Sequence, residues 1–229
     1  METDANGLWH YHYIPKSYAV VNFELIRSNY AVTQVSVPVG MPESMSATLV
    51  IKRGCAIVGQ VSNQQGKVIS GATVRAYHNY RYRKLSTKTD TNGHFELFGL
   101  SNQLESKVDI VIQSTGMAPQ LHTVQLSELT NTLNLILTKG NLFRGRISDE
   151  AGNPISKVVV QTDFDFNNQI DKNFEWRTET DADGRFEWDS APAEAICYWF
   201  EANGYNILRG HPLLADGSEH KIILKQKPE

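Results

Sequence analysis

Seven histidines, two cysteines and a scatter of carboxylates are the residues of this chain that could do chemistry, and their spacing argues against most of it. None of His10, His12, His78, His94, His122, His211 and His220 starts an HxxE or HExxH motif, so zinc-hydrolase ligands of that kind are not present. His10 and His12 alternate along a predicted strand and would share one face. No third ligand is identifiable, so a solvated strand face is the expectation. Neither Cys55 nor Cys197 has a Cys/His/Asn arrangement around it, and no GxSxG elbow occurs. Both read as passive thiols: Cys55 opens a strand, and Cys197 falls on the outer face of another. No catalytic residue, metal site or resident cofactor is expected.

Binding chemistry has better candidates. Asp163, Asp165, Asn167, Asn168 and Asp171 are hard oxygen ligands that look like the start of a calcium loop. The sixth-position glycine and the bidentate glutamate at position twelve are missing, so this is not an EF-hand. Ca2+ held by loop oxygens is the one cofactor these residues leave open. The stretch Tyr77 to Lys84 interleaves rings with cations: Tyr80 and Tyr82 would share one strand face, Arg81 and Arg83 the other. Such a strand could hold a polyanion, single-stranded nucleic acid or an acidic glycan; the competing reading is an edge strand protected by charge. Near the C-terminus, Trp176 and Trp199 are placed to be exposed beside Asp163 and Asp165. A flat apolar ring next to hydrogen-bond acceptors is what a sugar platform needs. The alternative is that these rings cover core or meet a neighbouring module.

Positioning falls to a repeated framework. The phrase Thr-Asp-x-Asn/Asp-Gly-x-aromatic runs from Thr3 to Trp9, from Thr89 to Phe95 and from Thr180 to Phe186. Its aspartates, Asp4, Asp90 and Asp181, stand 86 and 91 residues apart, the size of a small β domain. The Asx-Gly pair is a strong hairpin signal, the aspartate before it reads as an acceptor for backbone N–H groups, and the closing aromatic turns into the core. Around the phrase the copies align. Ile57–Tyr77 and Phe143–Asp163 each give a strand with a central glycine (Gly59, Gly145), a turn closed by Gly66 or Gly152, and a second alternating strand. Later strands at Ala19–Tyr30, Val108–Gly116 and Ala195–Tyr205 match. Each unit closes on another: Ala47–Gly54, Thr132–Gly140 and His220–Lys227. Aligning Gly204 with Gly116 points Tyr198 and Phe200 inward and Trp199 outward, while Trp188 shares the inward parity of Phe186. No long amphipathic helix is visible.

Asp149, Gly152, Pro154-Ile155, Val158, Thr180-Asp181, Gly184, Phe186 and Gly204-Tyr205 form a pattern that resembles the carboxypeptidase regulatory-like domain. The resemblance implies a transthyretin-like, seven-stranded Greek-key sandwich, related in shape to collagen-binding-protein B-type repeats. The second unit departs from the pattern at Lys67-Val68 and at Gly116-Met117, and the first has only the back half. The expected fold is all-β: tandem Greek-key β-sandwich modules, Ig-like or prealbumin-like, with the first incomplete. Residues 1–53 would be the C-terminal half of one repeat, 54–139 a full repeat and 140–229 another, with seamless junctions at Gly54 and Gly140. The half module reads as a piece of a longer array, or as one completed by strands from another chain.

The net charge of −3 argues against bulk attraction to nucleic acid or anionic membrane. No apolar run is long enough to span a bilayer, and METDANGLWHYH shows no signal-peptide pattern. The resemblance implies non-enzymatic structural or interaction modules of a larger bacterial surface, exported or periplasmic protein. Their partners would be neighbouring domains of the polypeptide, with polysaccharide as the alternative ligand. A further alternative is an accessory role beside an active site outside this chain.

Overall fold

Alternating apolar and polar residues, interrupted by Asx-Gly turns, dictate short strands buried on one face. The structure, a computed structural model, describes residues 2–10, 20–27, 30–31, 33–38, 48–77, 84–100, 107–163 and 174–228. Among these there is no helix. The first unit contributes β1 (Val20–Leu25) and β2 (Thr33–Pro38). The middle unit has β3 (Cys55–Asn63), β4 (Thr73–Tyr77), β5 (Lys84–Lys88), β6 (His94–Leu100), β7 (Lys107–Gln113), β8 (Gln120–Gln125), β9 (Thr130–Thr132) and β10 (Leu135–Leu137). The last has β11 (Asn141–Ser148), β12 (Val159–Thr162), β13 (Arg177–Glu179), β14 (Arg185–Ala191), β15 (Ile196–Glu201), β16 (Leu208–Leu213) and β17 (Glu219–Ile223).

The middle and last units are sandwiches of the same topology. In the middle one, a β5-β4-β7-β8 sheet faces a sheet in which β3 pairs antiparallel with β6 and parallel with both β9 and β10. In the last, β13-β12-β15-β16 faces β14-β11-β17, with β17 again parallel to β11. The register of the first strand shifts at the same place in both, between Cys55 and Ile57 and between Asn141 and Phe143. Each encloses its own core, built on Ile57, Val74, Phe95 and Ile110 in one and on Phe143, Val160, Phe186 and Phe200 in the other.

The glycine in the middle of each first strand answers to close approach. A Cβ on Gly59 would sit 1.8 Å from the carbonyl oxygen of Leu133, between β9 and β10. One on Gly145 would sit 2.7 Å from the Phe186 ring and 2.8 Å from the His220 carbonyl. The parallel last strand and the core aromatic both press on that point, and any side chain would separate them.

In the first unit β1 and β2 form an antiparallel hairpin, with Val20 opposite Pro38 and Leu25 opposite Thr33. Val21, Phe23 and Leu25 are half-buried, and Trp9 lies 4.8 Å from Phe23, ring to ring. The expected closing strand at Ala47–Gly54 is corrected. Among its described residues there is only an isolated bridge, Arg53 to Tyr30, and an Ala31 amide donating to Lys52 O at 2.9 Å. In the complete sandwiches that strand is held by parallel pairing to a first strand, and the described residues of the first unit contain none.

Candidate functional site

The recurring phrase builds scaffold. Asp90 Oδ1 accepts from the amides of Asn92 and His94, both at 2.8 Å, and Asp181 Oδ1 from those of Asp183 at 2.9 Å and Arg185 at 2.8 Å. Asp4 does the same for Asn6 and Leu8. The threonine before it is a clamp. Thr89 Oγ1 accepts from Ala72 N–H at 2.9 Å and donates to Ile69 O at 2.7 Å; Thr180 Oγ1 accepts from Val158 N–H and donates to Ile155 O. Gly93 and Gly184 take φ of +74°, where a Cβ would strike the carbonyls of Val61 and Ile147. Turn, clamp and aromatic thus tie each first hairpin to the phrase, and the aspartates cap backbone N–H groups.

Trp176 does not stand as an exposed platform. It is half-buried and stacked on Trp188, with ring centroids 4.7 Å apart and planes 10° from parallel. Phe143 and Tyr198 meet it edge-on at 6.1 and 6.2 Å. Trp188 is buried, as its parity predicts, with Nε1 donating to Ser190 Oγ at 3.0 Å. Trp176 packs where the last sandwich meets the middle one. Val111, on the outer face of β7, is 0% exposed and belongs to the last sandwich's core cluster, with Leu121 packed alongside. Next to Trp176, Glu175 reaches back to the middle sandwich. Its amide donates to Gln113 Oε1 at 2.9 Å, and its carboxylate pairs with Arg75, which also donates to Gln113. Arg75 is 4% exposed, and its Nε and Nη1 make no well-formed hydrogen bond. The charge of Glu175 is what compensates that buried guanidinium. Gly140 sits at the junction but packs on its own sandwich: a Cβ there would lie 2.2 Å from Ser190 Cα in β14.

Trp199 points outward, as its parity requires, but its face is covered. The Arg209 guanidinium carbon lies 4.0 Å from the ring centroid. Arg209 in turn holds Asp163 through Nε at 3.2 Å and Nη2 at 2.8 Å, and the Gly210 amide donates to the same carboxylate at 2.9 Å. That bidentate partner holds the Arg209 guanidinium above its ordinary range. Asp163, its side chain 4% exposed, is therefore not a free acceptor for a sugar hydroxyl, which corrects the expectation from sequence. The missed signal is Arg209, whose pairing crosses 46 residues. Cys197 shares the outward parity of Trp199 yet is 3% exposed, and Cys55 is buried at the start of β3. Neither is in a disulfide, and burial pushes the Cys55 thiol up, away from the nucleophilic thiolate.

Asp165, with Asn167, Asn168 and Asp171, lies outside the described residues, as do Tyr80, Arg81, Tyr82, Arg83 and His12. Among the described residues no three His, Cys, Asp or Glu side chains come together as a metal site, and no helix is long and apolar enough to cross a membrane.

One feature was not singled out from the sequence. Between the first unit and the middle sandwich runs a groove of about 400 Å³, lined by Arg27, Tyr30, Arg53, Phe98, Leu129 and Thr130. Its frame is a turn present in every unit. Tyr30 N–H donates to Arg27 O and Tyr30 bridges Arg53; Met117 N–H donates to Ser114 O and Met117 bridges Lys139; Tyr205 N–H donates to Ala202 O and Tyr205 bridges Gln226. Aligning the unit ends would have exposed the arginines as the feature peculiar to the first.

The family model of the carboxypeptidase regulatory-like domain matches residues 56–138. No curated protein matches the chain in sequence. Among solved structures, a streptococcal ancillary pilin is 13% identical, with 90% of this chain and 74% of that one covered at a TM-score of 0.35. The Bacillus anthracis TIE protein is 15% identical over 93% of this chain and 45% of its own, at 0.32. The shaft pilin SpaA from Lactobacillus rhamnosus GG is 10% identical in a double-mutant form, over 76% and 98%, at 0.31. Residues 56–138 thus match the carboxypeptidase regulatory-like domain, and the last sandwich has a closely similar topology, with one parallel strand, β17, where the middle has β9 and β10.

Proposed function

We propose that this chain is a run of non-catalytic β-sandwich modules, at 1–53, 54–139 and 140–229, serving as rigid spacer and interaction elements of a longer polypeptide at the cell surface, exported or periplasmic. The observation that carries this reading is the second junction. A buried arginine of one sandwich is compensated by a glutamate of the next, and Val111 of the middle sandwich is buried in the core of the last. Modules joined by flexible linkers are free to move relative to one another. Here three residues, Thr138, Lys139 and Gly140, separate β10 from β11, and the contact includes a buried charge, whose separation would leave the guanidinium without its carboxylate.

The test is hydrodynamic. Backbone NMR relaxation on the chain should return one correlation time for residues 54–229, and small-angle scattering should give one extended shape. Separate correlation times for the two sandwiches would overturn the rigid-spacer reading.

A further inference from the structure

We propose that the groove at the first junction is a binding site for an acidic polysaccharide, taking the carboxylate of a uronate residue between Arg27 and Arg53. The backbone brings the two arginines to one turn, and both line the groove. Tyr30 bridges Arg53 antiparallel, Ala31 N–H donates to Lys52 O at 2.9 Å, and Tyr30 N–H donates to Arg27 O at 3.1 Å. The Arg27 guanidinium lies 5.4 Å from the Tyr30 ring centroid, which holds it beside an aromatic face. Among the described residues neither arginine is in an ion pair, whereas Arg75, Arg185 and Arg209 all are. Two like charges around one concavity, with no acid between them, attract an anion. Guanidinium groups match a carboxylate with paired donors.

The remaining lining selects the body of the ligand. Phe98 and Leu129 supply apolar surface and Thr130 a hydroxyl, in a volume within the range that holds small ligands. An apolar wall with a few polar groups suits a sugar ring, with one apolar face and hydroxyls at its edge. At the second junction Asp189 stands where Phe98 stands here, and Ser114 and Lys139 stand where Arg27 and Arg53 do. The shared frame therefore carries two arginines and an aromatic lining in one copy only. A nucleic acid also offers anions, but it calls for a basic track along the protein, and the chain's net charge is −3. The site does not depend on the spacer reading, since a groove could bind whether or not the second junction is rigid.

The experiment is calorimetric titration of the chain with a galacturonate oligomer, its fully methyl-esterified form, an oligo-dT of similar length and inorganic phosphate. The charged glycan should bind, with affinity falling as salt rises. Arg53→Gln and Arg27→Gln should each weaken it tenfold or more. Melting temperatures should be unchanged, because both side chains are exposed. Lys139→Gln, at the equivalent place in the second junction, should leave binding as it was. Absent binding of the galacturonate oligomer, equal binding of the esterified oligomer, indifference to both arginine variants, tighter binding of oligo-dT, or equally tight binding of phosphate would each overturn the proposal.

Discussion

The two junctions share a frame and differ in everything attached to it. Each has a glycine against neighbouring backbone: Gly54 beneath Ala31 and Leu100, Gly140 beneath Ser190. Each has the same turn and isolated bridge. At the second, side chains close the space: Arg75 is buried under Glu175 and Gln113, and Val111 is buried against the last sandwich. At the first, Arg27, Tyr30 and Arg53 line an open groove. In an array of like modules the backbone fixes where a junction is, while the residues on its turn decide whether it is a weld or a site.

The comparison breaks most directly at the glycines. Gly140→Ala would drive a methyl group to 2.2 Å from Ser190 Cα and 2.4 Å from its carbonyl carbon. Backbone cannot rotate away as a side-chain tip can, so the start of β11 must pull away from β14 within the last sandwich. We expect a loss of about 3 kcal/mol in denaturant unfolding of the last sandwich, the upper end for overpacking. Glu175→Ala comes next. It leaves Arg75 buried without its carboxylate and should cost about 1–3 kcal/mol, with Glu175→Gln recovering part because the amide still accepts. Arg75→Met, which removes the buried charge itself, should be far milder than Glu175→Ala. If it were worse, the guanidinium would be contributing packing rather than demanding compensation. Gly54→Ala is the gentler counterpart, since its Cβ meets Ala31 N at 2.6 Å and Leu100 O at 2.7 Å. Its cost should sit nearer 1 kcal/mol, and its signature should be loss of galacturonate binding at the first junction while the second stays rigid.

Local chemistry was legible in the sequence wherever it repeats. Thr-Asp-x-x-Gly announced the turn and its core aromatic because both depend on the local backbone, whereas the threonine clamp, whose partners lie 17 to 25 residues away, was not legible. Parity placed Trp188 inward and Trp199 outward for the same reason. Reach across the chain was not legible. Asp163 reads as an available acceptor until Arg209, in another strand, is known to hold it. Trp176 reads as a loop platform until Trp188 and the facing sandwich arrive. The burial of Cys197 and Val111 on outward parities belongs to the same class, since parity tells which sheet face a residue occupies and not what covers that face. The groove was not legible because its arginines lie on two segments brought together by the Tyr30–Arg53 bridge and the Ala31–Lys52 hydrogen bond, far apart in sequence.

The smallest effect tests how tightly the weld transmits a local change. His122 on β8 is half-buried, with Nε2 at 2.9 Å from Gln120 Oε1, and its neighbour Leu121 packs against the last sandwich. Burial lowers the imidazole's pKa below its ordinary value of 6.5. Between the folded value and 6.5 the unfolded chain binds the proton that the folded one refuses. Stability from this group is therefore complete above 6.5 and falls as pH descends through that window, with no further loss below the folded value. We expect the melting temperature of the middle sandwich to decline on that limb, and His122→Gln to flatten it. If the second junction couples the sandwiches, probes in the last one (Trp176 and Trp188 fluorescence) should report the same pH-dependent midpoint. A last sandwich whose melting ignores the titration would show that the two sandwiches meet without sharing stability, and the contrast between the junctions would reduce to one of shape.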